Sequence, residues 1–299
     1  MNETLLMKAP PVTLNIIGCG NVGKTLGHLW TRQNVFKVQD ILNRSHQSSI
    51  AAVDFIQAGH VVQSFADIRP ADLYLIGTPD QHIAECCAAL LASNILRAGN
   101  IVFHCSGALP SSILDAVRAV GASIASIHPI KSFADPKAST LSFAGTFCGA
   151  EGAQDALEIL IPAFEKIGGK ILPIDSAQKT YYHAAGVVVS NYLTALMELG
   201  VQSYMQAGIS REQALAIIDP IAQGTLKNIV SLGTAQALTG PIARGDVETV
   251  VRQLEAFQQW KPEYGELYRL LGGVALELAE IKNIATRHGI ETLRKNLLN

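Results

Sequence analysis

The sequence predicts an α/β protein in which a doubly wound sheet is followed by an all-helical C-terminal domain. Three observations lead to this fold class. A glycine-rich segment joins a strand to a helix near the N-terminus, apolar strands alternate with helices as far as Pro173, and no convincing strand follows residue 176. With 299 residues, the chain is long enough for two domains, each with its own core. We therefore predict domains at residues 1–175 and 176–299.

Composition restricts the classes of protein and partner. The chain is 48% hydrophobic and 16% charged with a net charge of −2, which is typical of a globular protein and disfavours nucleic acid or an anionic membrane surface as a partner. Five cysteines without a CxxC pair, and an N-terminus without signal-peptide features, predict a cytoplasmic location. The apolar run 184–196 contains polar residues and is too short to span a bilayer. Because no cluster has metal-ligand spacing, no metal is expected.

The glycine-rich segment is the strongest functional signal. Residues 14–27, LNIIGCGNVGKTLG, carry GxGxxG at Gly18, Gly20 and Gly23, after strand 12–17 and before helix 22–32. The first glycine allows a tight turn, the second allows a pyrophosphate to approach, and the third allows the helix to pack closely on the sheet. The helix opens near Asn21 and Val22, where free N–H groups favour phosphate. The segment therefore predicts a dinucleotide site, the alternative being a glycine-rich turn without a ligand.

The end of the second strand indicates which dinucleotide binds. The strand Phe36–Leu42 runs into Asn43, Arg44 and Ser45, about twenty residues after the last glycine of the motif. An acid at this position would accept a hydrogen bond from the ribose 2′-hydroxyl of NAD, but no acid is present. Arg44 can pair with a 2′-phosphate and Ser45 can add a hydroxyl donor. We predict NADP rather than NAD; the alternative is a solvated arginine at a strand end.

Three later strands end in polar loops on the same sheet edge. The strand 72–76 runs into Gly77, Thr78, Pro79 and Asp80, which we expect along the cofactor, although Asp80 can equally cap the helix 81–91. Strand 100–103 runs into His104 and Ser106, and we expect this Ser-Gly loop to touch the nicotinamide amide. Strand 122–127 runs into His128 and Lys131.

The remaining predicted elements of this domain are helix 48–58, strand 146–149, helix 153–167 and strand 170–173.

The C-terminal domain is predicted from caps and breakers. One long helix covers 176–206, and Ser210 caps a helix 211–231 that Pro220 should kink or break. The glycine and proline residues in 240–246 predict a loop. After it, Asp246 caps a helix 247–259 and Pro262 starts a helix 263–284.

A line of polar residues runs along the long helix at steps of three or four. It contains Lys179, His183, Gly186, Ser190 and Thr194, with Asn191 at its edge. A polar line on an apolar helix must find partners or face a cavity. If it faces the crevice, His183 can donate a proton during hydride transfer while Asn191 or Ser190 orients the substrate oxygen. The alternative is a hydrogen-bonded core histidine and a serine bonded to its own helix.

Three further residues are candidates for substrate binding. His128 follows a strand end, and Lys131 offers a point charge to a substrate carboxylate and is also a candidate catalytic residue. Arg244 can clamp an anion through two hydrogen bonds. The alternatives are a surface lysine at position 131 and, around Arg244, a loop in which Asp246 serves only as a helix cap.

These residues together resemble a known family. The segments are IIGCGNVGKTLG, NRS, GTPD, HCSGALPS, IHPIKSF, YHAAGVVVSNYLTAL and LTGPIARGD. They are similar to Rossmann-like proteins of the 6-phosphogluconate-dehydrogenase superfamily with a helical C-terminal domain, and most of all to a group of NADP oxidoreductases. The resemblance implies a cytoplasmic NADP-dependent enzyme that forms a homodimer. Hydroxy-acid members carry a lysine on the first helix after the sheet with an asparagine one turn on, where this chain has His183 and, two turns on, Asn191.

We therefore expect an NADPH-dependent reductase of a small carbonyl acid. Ketopantoate (2-dehydropantoate) is the leading substrate, because GPIARGDVETV is similar to a substrate-lining segment of ketopantoate reductases. A prephenate dehydrogenase-like activity is an alternative, suggested by the IHP turn. An imine or deazaflavin-linked substrate is another, and an open cleft without Lys131 or Arg244 would favour it. A non-catalytic NADP-sensing module is the alternative from another class of protein.

Overall fold

The computed structural model describes residues 11–298 and confirms the predicted fold class. Its first part contains an eight-stranded sheet and its second part is helical. The strands are β1 (Thr13–Ile17), β2 (Lys37–Leu42), β3 (His60–Val62), β4 (Leu73–Ile76), β5 (Ile101–His104), β6 (Ser123–Pro129), β7 (Phe147–Gly152) and β8 (Lys170–Pro173).

The order of the strands determines where a ligand can bind. The sheet runs β3-β2-β1-β4-β5-β6-β7-β8, and adjacent strands are parallel except for the antiparallel pair β6 and β7. From β1 the chain winds outward in one direction to β3 and then returns to β4 on the other side. The carboxyl ends of β1 and β4 therefore flank the point where the winding reverses, which is where α/β sheets bind their ligands.

Helices cover both faces of this sheet. They are α1 (Asn21–Arg32), α2 (His46–Ile56), α3 (Ile83–Ala92), α4 (Pro136–Leu141) and α5 (Gln154–Lys166), with 3₁₀ helices at Phe65–Asp67, Asp80–His82 and Ser111–Val120. One core cluster surrounds Trp30, whose ring packs edge-on against Phe36, Phe103 and Phe164. The cluster on the other face includes Tyr74. The two cores hold the strand ends in register.

The prediction of one long helix after the sheet is confirmed. This helix changes from α-helical to π-helical hydrogen bonding along part of its length. A helical run covers Ser176–Gln206 and consists of a 3₁₀ turn at Ser176–Gln178, α6 (Lys179–Val187), a π-helical segment (Val188–Tyr192) and α7 (Leu193–Gln206). Its 31 residues are long and apolar enough, by length and composition alone, to cross a membrane. The argument that this region is too short for a span is therefore wrong, although a single helix of this kind is weak support for a membrane protein.

The chain divides into two compact units, one ending at Tyr192 and the other starting at Leu193. The helical run continues across this point, and the domain boundary after residue 175 stays a prediction. Beyond α7 the second unit consists of α8 (Arg211–Leu232), α9 (Thr234–Ala237), α10 (Gly240–Arg244), α11 (Val247–Trp260), α12 (Pro262–Lys282) and α13 (Arg287–Leu298).

Side-chain caps begin two of these helices, α8 and α11, while the predicted break at Pro220 and the predicted loop at residues 240–246 are wrong. Ser210 caps α8 through Gln213, and Asp246 caps α11 by accepting from the N–H of Thr249. However, α8 continues through Pro220, and the predicted loop at residues 240–246 contains α10. A breaker residue weakens a helix locally but does not end it when the flanking turns remain hydrogen-bonded. The sequence reading also missed α13, β3, α4 and the 3₁₀ helix at 111–120.

Candidate functional site

The glycine motif brings the ends of β1 and β4 into contact. Gly18 has a φ of +82°, and a Cβ there would lie 2.5 Å from Cγ2 of Thr78. A Cβ on Gly77 would lie 2.6 Å from the carbonyl oxygen of Gly18. Gly20, by contrast, faces open space within 4 Å, as required where a phosphate approaches the backbone. The three glycines therefore perform two tasks: close packing of strand ends and an open approach to the start of α1.

A cavity of about 150 Å³ lies beside this turn. It is lined by Val22, Gly23, Leu75, Ile76, Gly77, Thr78, Asp80, Cys105 and Ser106. Within residues 11–298, two buried polar atoms in this region lack a normal hydrogen bond: Oγ1 of Thr78 and Nδ2 of Asn43. The Cys86 thiol lies within reach of the Thr78 hydroxyl. Because buried polar groups normally have partners, unpaired atoms beside an open phosphate approach fit a bound dinucleotide.

The end of β2 is arranged differently from the expectation. Oδ1 of Asn43 accepts a hydrogen bond from the N–H of Cys19 at 2.5 Å, so Asn43 braces the glycine turn. Ser45 caps α2, its Oγ lying 3.2 Å from the N–H of Ser48 and 2.9 Å from Oγ of Ser48. These contacts engage its hydroxyl, and a phosphate contact of Ser45 stays a prediction. Arg44 is exposed at the strand end, and its phosphate contact stays a prediction.

The loop after β5 is held by its own polar side chains. The hydroxyl of Ser106 donates to Asp80 at 2.8 Å and accepts from the N–H groups of Ala108 and Leu109 at 3.2 and 3.0 Å. Ser106 also lines the cavity beside the glycine turn, and the expected contact of this Ser-Gly loop with the nicotinamide amide stays a prediction. The alternative role of Asp80 as a helix cap is wrong, since the 3₁₀ helix that begins at Asp80 has no side-chain cap.

His104 supports the same loop from inside the sheet. Its ring is fully buried, Nδ1 accepts from the N–H of Ser106 at 3.1 Å, and Nε2 lies 3.3 Å from the carbonyl oxygen of Pro110. Nε2 therefore carries the proton and donates to Pro110. Burial, together with the nearby Lys179, lowers the pKa of His104 to about 4. His104 is thus a neutral structural residue.

A buried ion pair attaches α6 to the sheet. Lys179 is 1% exposed, and its Nζ donates to Oγ of Ser126 at 2.6 Å and to the carbonyl oxygen of Ser106 at 3.1 Å. Oε1 of Glu151 lies 3.4 Å from the same Nζ, and the Glu151 carboxylate also accepts two bonds from Ser111 at 2.7 Å each. Burial lowers the pKa of Lys179, and the charge of Glu151 acts against this shift. The charges can remain buried because each has several partners.

One turn beyond Lys179, α6 carries a pair of aromatic and imidazole groups. The hydroxyl of Tyr182 lies 2.9 Å from Nδ1 of His128, and the rings of His128 and His183 have centroids 6.1 Å apart. A Cβ on Gly107 would lie 2.7 Å from Nδ1 of His183 and 2.8 Å from Nε2 of His128. Both imidazoles therefore face the same point on the loop after Ser106, and the substrate-binding role of His128 and the proton-donor role of His183 stay predictions.

A second cavity, of about 280 Å³, opens beside His183. It is lined by Ala108, Thr180, His183, Ala184, Val187, Val188 and Tyr192. Ala108 and Ser106 belong to one loop, so the segment 106–108 has the glycine-motif cavity at one end and the His183 cavity at the other. The side chain that the sequence assigns as proton donor thus lies next to the loop that lines the predicted cofactor crevice.

The predicted polar line does not face one cavity along its whole length. Lys179 points into the sheet rather than toward a cavity, and the π-helical segment interrupts the α-helical spacing before Ser190 and Asn191. A π-helical turn contains more residues than an α-helical turn, so steps of three or four no longer stack across it. Ser190 and Asn191 are exposed, and their substrate roles stay predictions.

The other predicted residues lie outside the two cavities. Asn21 opens α1, and its side chain donates to the carbonyl oxygens of Phe133 and Ala134 at 2.8 and 3.0 Å, which ties the loop after Lys131 to the glycine turn. Lys131 itself is half-buried, and Pro79 is exposed between β4 and Asp80. Arg244 is an exposed residue at the end of α10 in the second unit. Substrate contacts of Lys131 and Arg244 stay predictions.

Sequence reasoning missed Tyr182 and Glu151. Tyr182 is one of two adjacent tyrosines, and nothing in the spacing distinguishes it from Tyr181. Glu151 is an acid in a strand of small and apolar residues, FCGAEG, and an acid in such a strand predicts a buried partner. That signal was available but does not name Lys179 as the partner.

Comparison with known proteins agrees with this architecture. Residues 2–129 match the family of Rossmann-like domains, and residues 146–274 match a domain of unknown function, DUF2520. The chain is therefore similar to a Rossmann-like domain over its first part and to DUF2520 over most of the rest. The expected Rossmann-like fold with a helical C-terminal region is thereby confirmed. No curated protein sequence matches the chain.

Solved structures share the fold over most of their length. Protein TM1727 of Thermotoga maritima is 26% identical and has a TM-score of 0.72, with 90% of this chain and 99% of that chain covered. A candidate NADP oxidoreductase of Bacteroides fragilis, BF3122, is 20% identical with a TM-score of 0.70, covering 89% and 98%. The reductive aminase of Aspergillus terreus, solved with NADPH and ethyl levulinate, is 18% identical with a TM-score of 0.59, covering 96% and 99%.

The burial of neutral His104 predicts that the free energy of unfolding decreases as the pH falls below 6.5. Its pKa falls from an ordinary 6.5 to about 4 on folding, so the unfolded chain binds this proton first as pH decreases. Its contribution to stability is therefore complete above pH 6.5 and is lost as the pH falls toward 4. In urea titrations between these pH values, we expect His104→Gln to show a shallower pH dependence of the unfolding free energy, by up to about 1.4 kcal/mol per pH unit. The exposed His46→Gln variant serves as the control, and equal slopes for all three proteins would contradict the prediction.

Proposed function

We propose that the protein is an NADPH-dependent reductase of a small carbonyl or imine compound. The observation that carries this proposal is the loop Ser106–Ala108, which lines the glycine-motif cavity at one end and the His183 cavity at the other. A cofactor site next to a cavity with a titratable side chain is the arrangement that hydride transfer with proton donation requires. The shared fold with a reductive aminase solved with NADPH supports the proposal.

The residues of the first cavity fit the cofactor. Gly20 leaves the approach to the start of α1 open, and the unpaired atoms of Asn43 and Thr78 offer hydrogen bonds. Arg44 is exposed where a 2′-phosphate would lie. NADPH supplies a hydride when bound. At the other end of the loop, His183 donates a proton to the oxygen or nitrogen of the reduced group, so that a C=O or C=N bond becomes an alcohol or amine.

The lining of the second cavity favours a substrate with an apolar body. Among the described residues around it, His183 and the hydroxyls of Thr180 and Tyr192 supply the side-chain polar groups, and neither Lys nor Arg is present. A carboxylate buried there would lack a cationic partner. This argument favours an imine or neutral carbonyl compound over ketopantoate, which remains the second candidate substrate through Lys131. Prephenate is disfavoured for the same reason, because it carries two carboxylates.

Cofactor preference is tested by Arg44→Ala. We expect the unmodified protein to bind NADPH more tightly than NADH, because a guanidinium can pair with the 2′-phosphate. The variant should bind NADPH about 10- to 100-fold more weakly, while NADH changes less than about twofold. Fluorescence titration measures both, with the exposed Arg32→Ala as the matched control. Equal affinities for the two cofactors in the unmodified protein would refute the assignment.

The proton donor is tested by His183→Gln. NADPH oxidation is followed against a panel of 2-oxo acids including ketopantoate, neutral ketones, and cyclic or ketone-derived imines. With an accepted substrate, the variant should lose about 10²- to 10⁴-fold in kcat because general acid catalysis is removed. NADPH affinity should be unchanged, and the exposed His288→Gln should match the unmodified enzyme. NADPH binding without turnover of any panel member would instead favour the sensing module.

We also propose that the protein forms a homodimer in the cytoplasm. In the described residues of the second unit, the buried apolar cluster is small: Val250, Leu276, Leu293 and Leu297. In contrast, α8 exposes most of its surface, with Val230 87% and Leu215 51% accessible. Such a face needs a cover, and a second copy presents the same face around a two-fold axis.

The dimer is tested by light scattering of Val230→Glu. A charge in an apolar interface is costly, so the variant should shift toward monomer at micromolar concentration. The neighbouring Lys227→Glu, also exposed on α8, controls for added negative charge. A monomeric unmodified protein, or one that sediments with lipid vesicles instead, would rule out the dimer.

A further inference from the structure

Three observations around β6 have no place yet in the proposed reaction. Tyr182 lies against His128, Gly149 is a glycine within a strand, and Gly107 is a glycine facing two imidazoles. In the antiparallel pair of β6 and β7, His128 lies directly opposite Gly149. A Cβ at Gly149 would lie too close to the hydroxyl of Tyr182 for both to be accommodated. The missing side chain therefore creates the space that lets the phenol reach His128.

The hydrogen bond between the phenol and the imidazole has a definite direction. The phenolic oxygen of Tyr182 accepts from the backbone of Gly149, which leaves its own O–H free to donate. Burial raises the pKa of Tyr182 to about 12, so the O–H proton is retained at neutral pH. Nδ1 of His128, 2.9 Å away, is then the acceptor. A neutral imidazole that accepts at Nδ1 carries its proton on Nε2.

His128 is also kept neutral by its surroundings. Burial and the neighbouring His183 lower its pKa to about 4, Lys179 and His104 act in the same direction, and Asp80 acts against it. These groups face His128 from α6, from β5 and from the 3₁₀ helix after β4, while Tyr182 faces it from α6 and Gly149 from β7. Its Nε2 and Nδ1 of His183 both lie within 3 Å of the position of a Cβ on Gly107. The Nε2–H of His128 therefore faces the gap at Gly107, next to the His183 ring.

We propose that Tyr182 is a positioning residue that holds His128 in its neutral Nε2–H tautomer, with this N–H facing the gap at Gly107 beside the His183 ring. This inference rests on the proposed function and extends it by a supporting pair behind the proton donor. His183 gives a proton to the substrate as an imidazolium and is left as a neutral imidazole. When that proton leaves, it goes to the substrate oxygen or nitrogen, and the protons of His128 and Tyr182 stay in place. One arrangement of protons is thus presented to the substrate.

The direct test is the tautomer of His128 in the full-length protein. Nitrogen-15 NMR of histidine-labelled protein distinguishes a protonated from an unprotonated ring nitrogen, and assignment uses His128→Gln. We expect an unprotonated Nδ1 and a protonated Nε2 in the unmodified protein, and a mixture of tautomers in Tyr182→Phe. A protonated Nδ1 in the unmodified protein, or identical spectra for the variant, would overturn the proposal. This readout does not depend on a substrate, so it stays informative if the reductase assay fails.

The kinetic test uses adjacent tyrosines as a matched pair. With an accepted substrate, Tyr182→Phe should lower kcat about tenfold, equal to about 1.4 kcal/mol in activation free energy, with KM and NADPH affinity within about twofold. Because the bond that favours neutral His128 is lost, the acid limb of the kcat–pH profile should move to higher pH. Tyr181→Phe, 79% exposed, should leave kcat and the profile unchanged. A Tyr182→Phe variant with an unshifted profile, or one that loses NADPH binding in proportion to kcat, would show a purely structural role.

Discussion

The buried ammonium of Lys179 is the constraint on which the candidate site depends. A charge that is 1% exposed must be fully partnered, and the partners come from three parts of the sheet: Glu151 on β7, Ser126 on β6 and the carbonyl oxygen of Ser106 after β5. These bonds fix where the first turn of α6 lies and hold the loop at Ser106. His183 follows one helical turn later on the same side of the helix. The ion pair therefore determines which loop His183 faces.

Glycines then determine how closely the parts approach. At Gly18 and Gly77 the absence of a Cβ lets β1 and β4 meet, which gives the crevice its shape. At Gly107 and Gly149 the same absence makes room for His183, His128 and Tyr182. The first pair lies in or beside a recognisable motif, whereas the second pair becomes meaningful through its neighbours. Space for side chains is thus as much a part of this site as the side chains themselves.

The sequence predicts those features that depend on neighbours in the chain. Alternating strands and helices, the glycine turn and the caps at Ser210 and Asp246 are local, and the structure confirms them. Features that depend on tertiary contact were missed or wrong. Tyr182 and His128 are 54 residues apart in the chain and meet because α6 lies against β6 in the folded protein. The predicted line of polar residues assumed α-helical spacing throughout, but a π-helical segment interrupts that spacing, and the sequence alone does not reveal such a segment.

The three histidines of the cluster illustrate why residue type alone does not assign a role. His104 is fully buried with both ring nitrogens engaged by the backbone, so its imidazole has no capacity left for a ligand. His128 has one nitrogen engaged by Tyr182 and the other directed toward the gap at Gly107, while His183 lies on a cavity wall. The three imidazoles thus differ in accessibility: His104 is fully buried, His128 is partly buried against Tyr182, and His183 is partly exposed on a cavity wall. A module that only sensed the cofactor would need the first of these environments but would have no use for the graded series, which argues for catalysis.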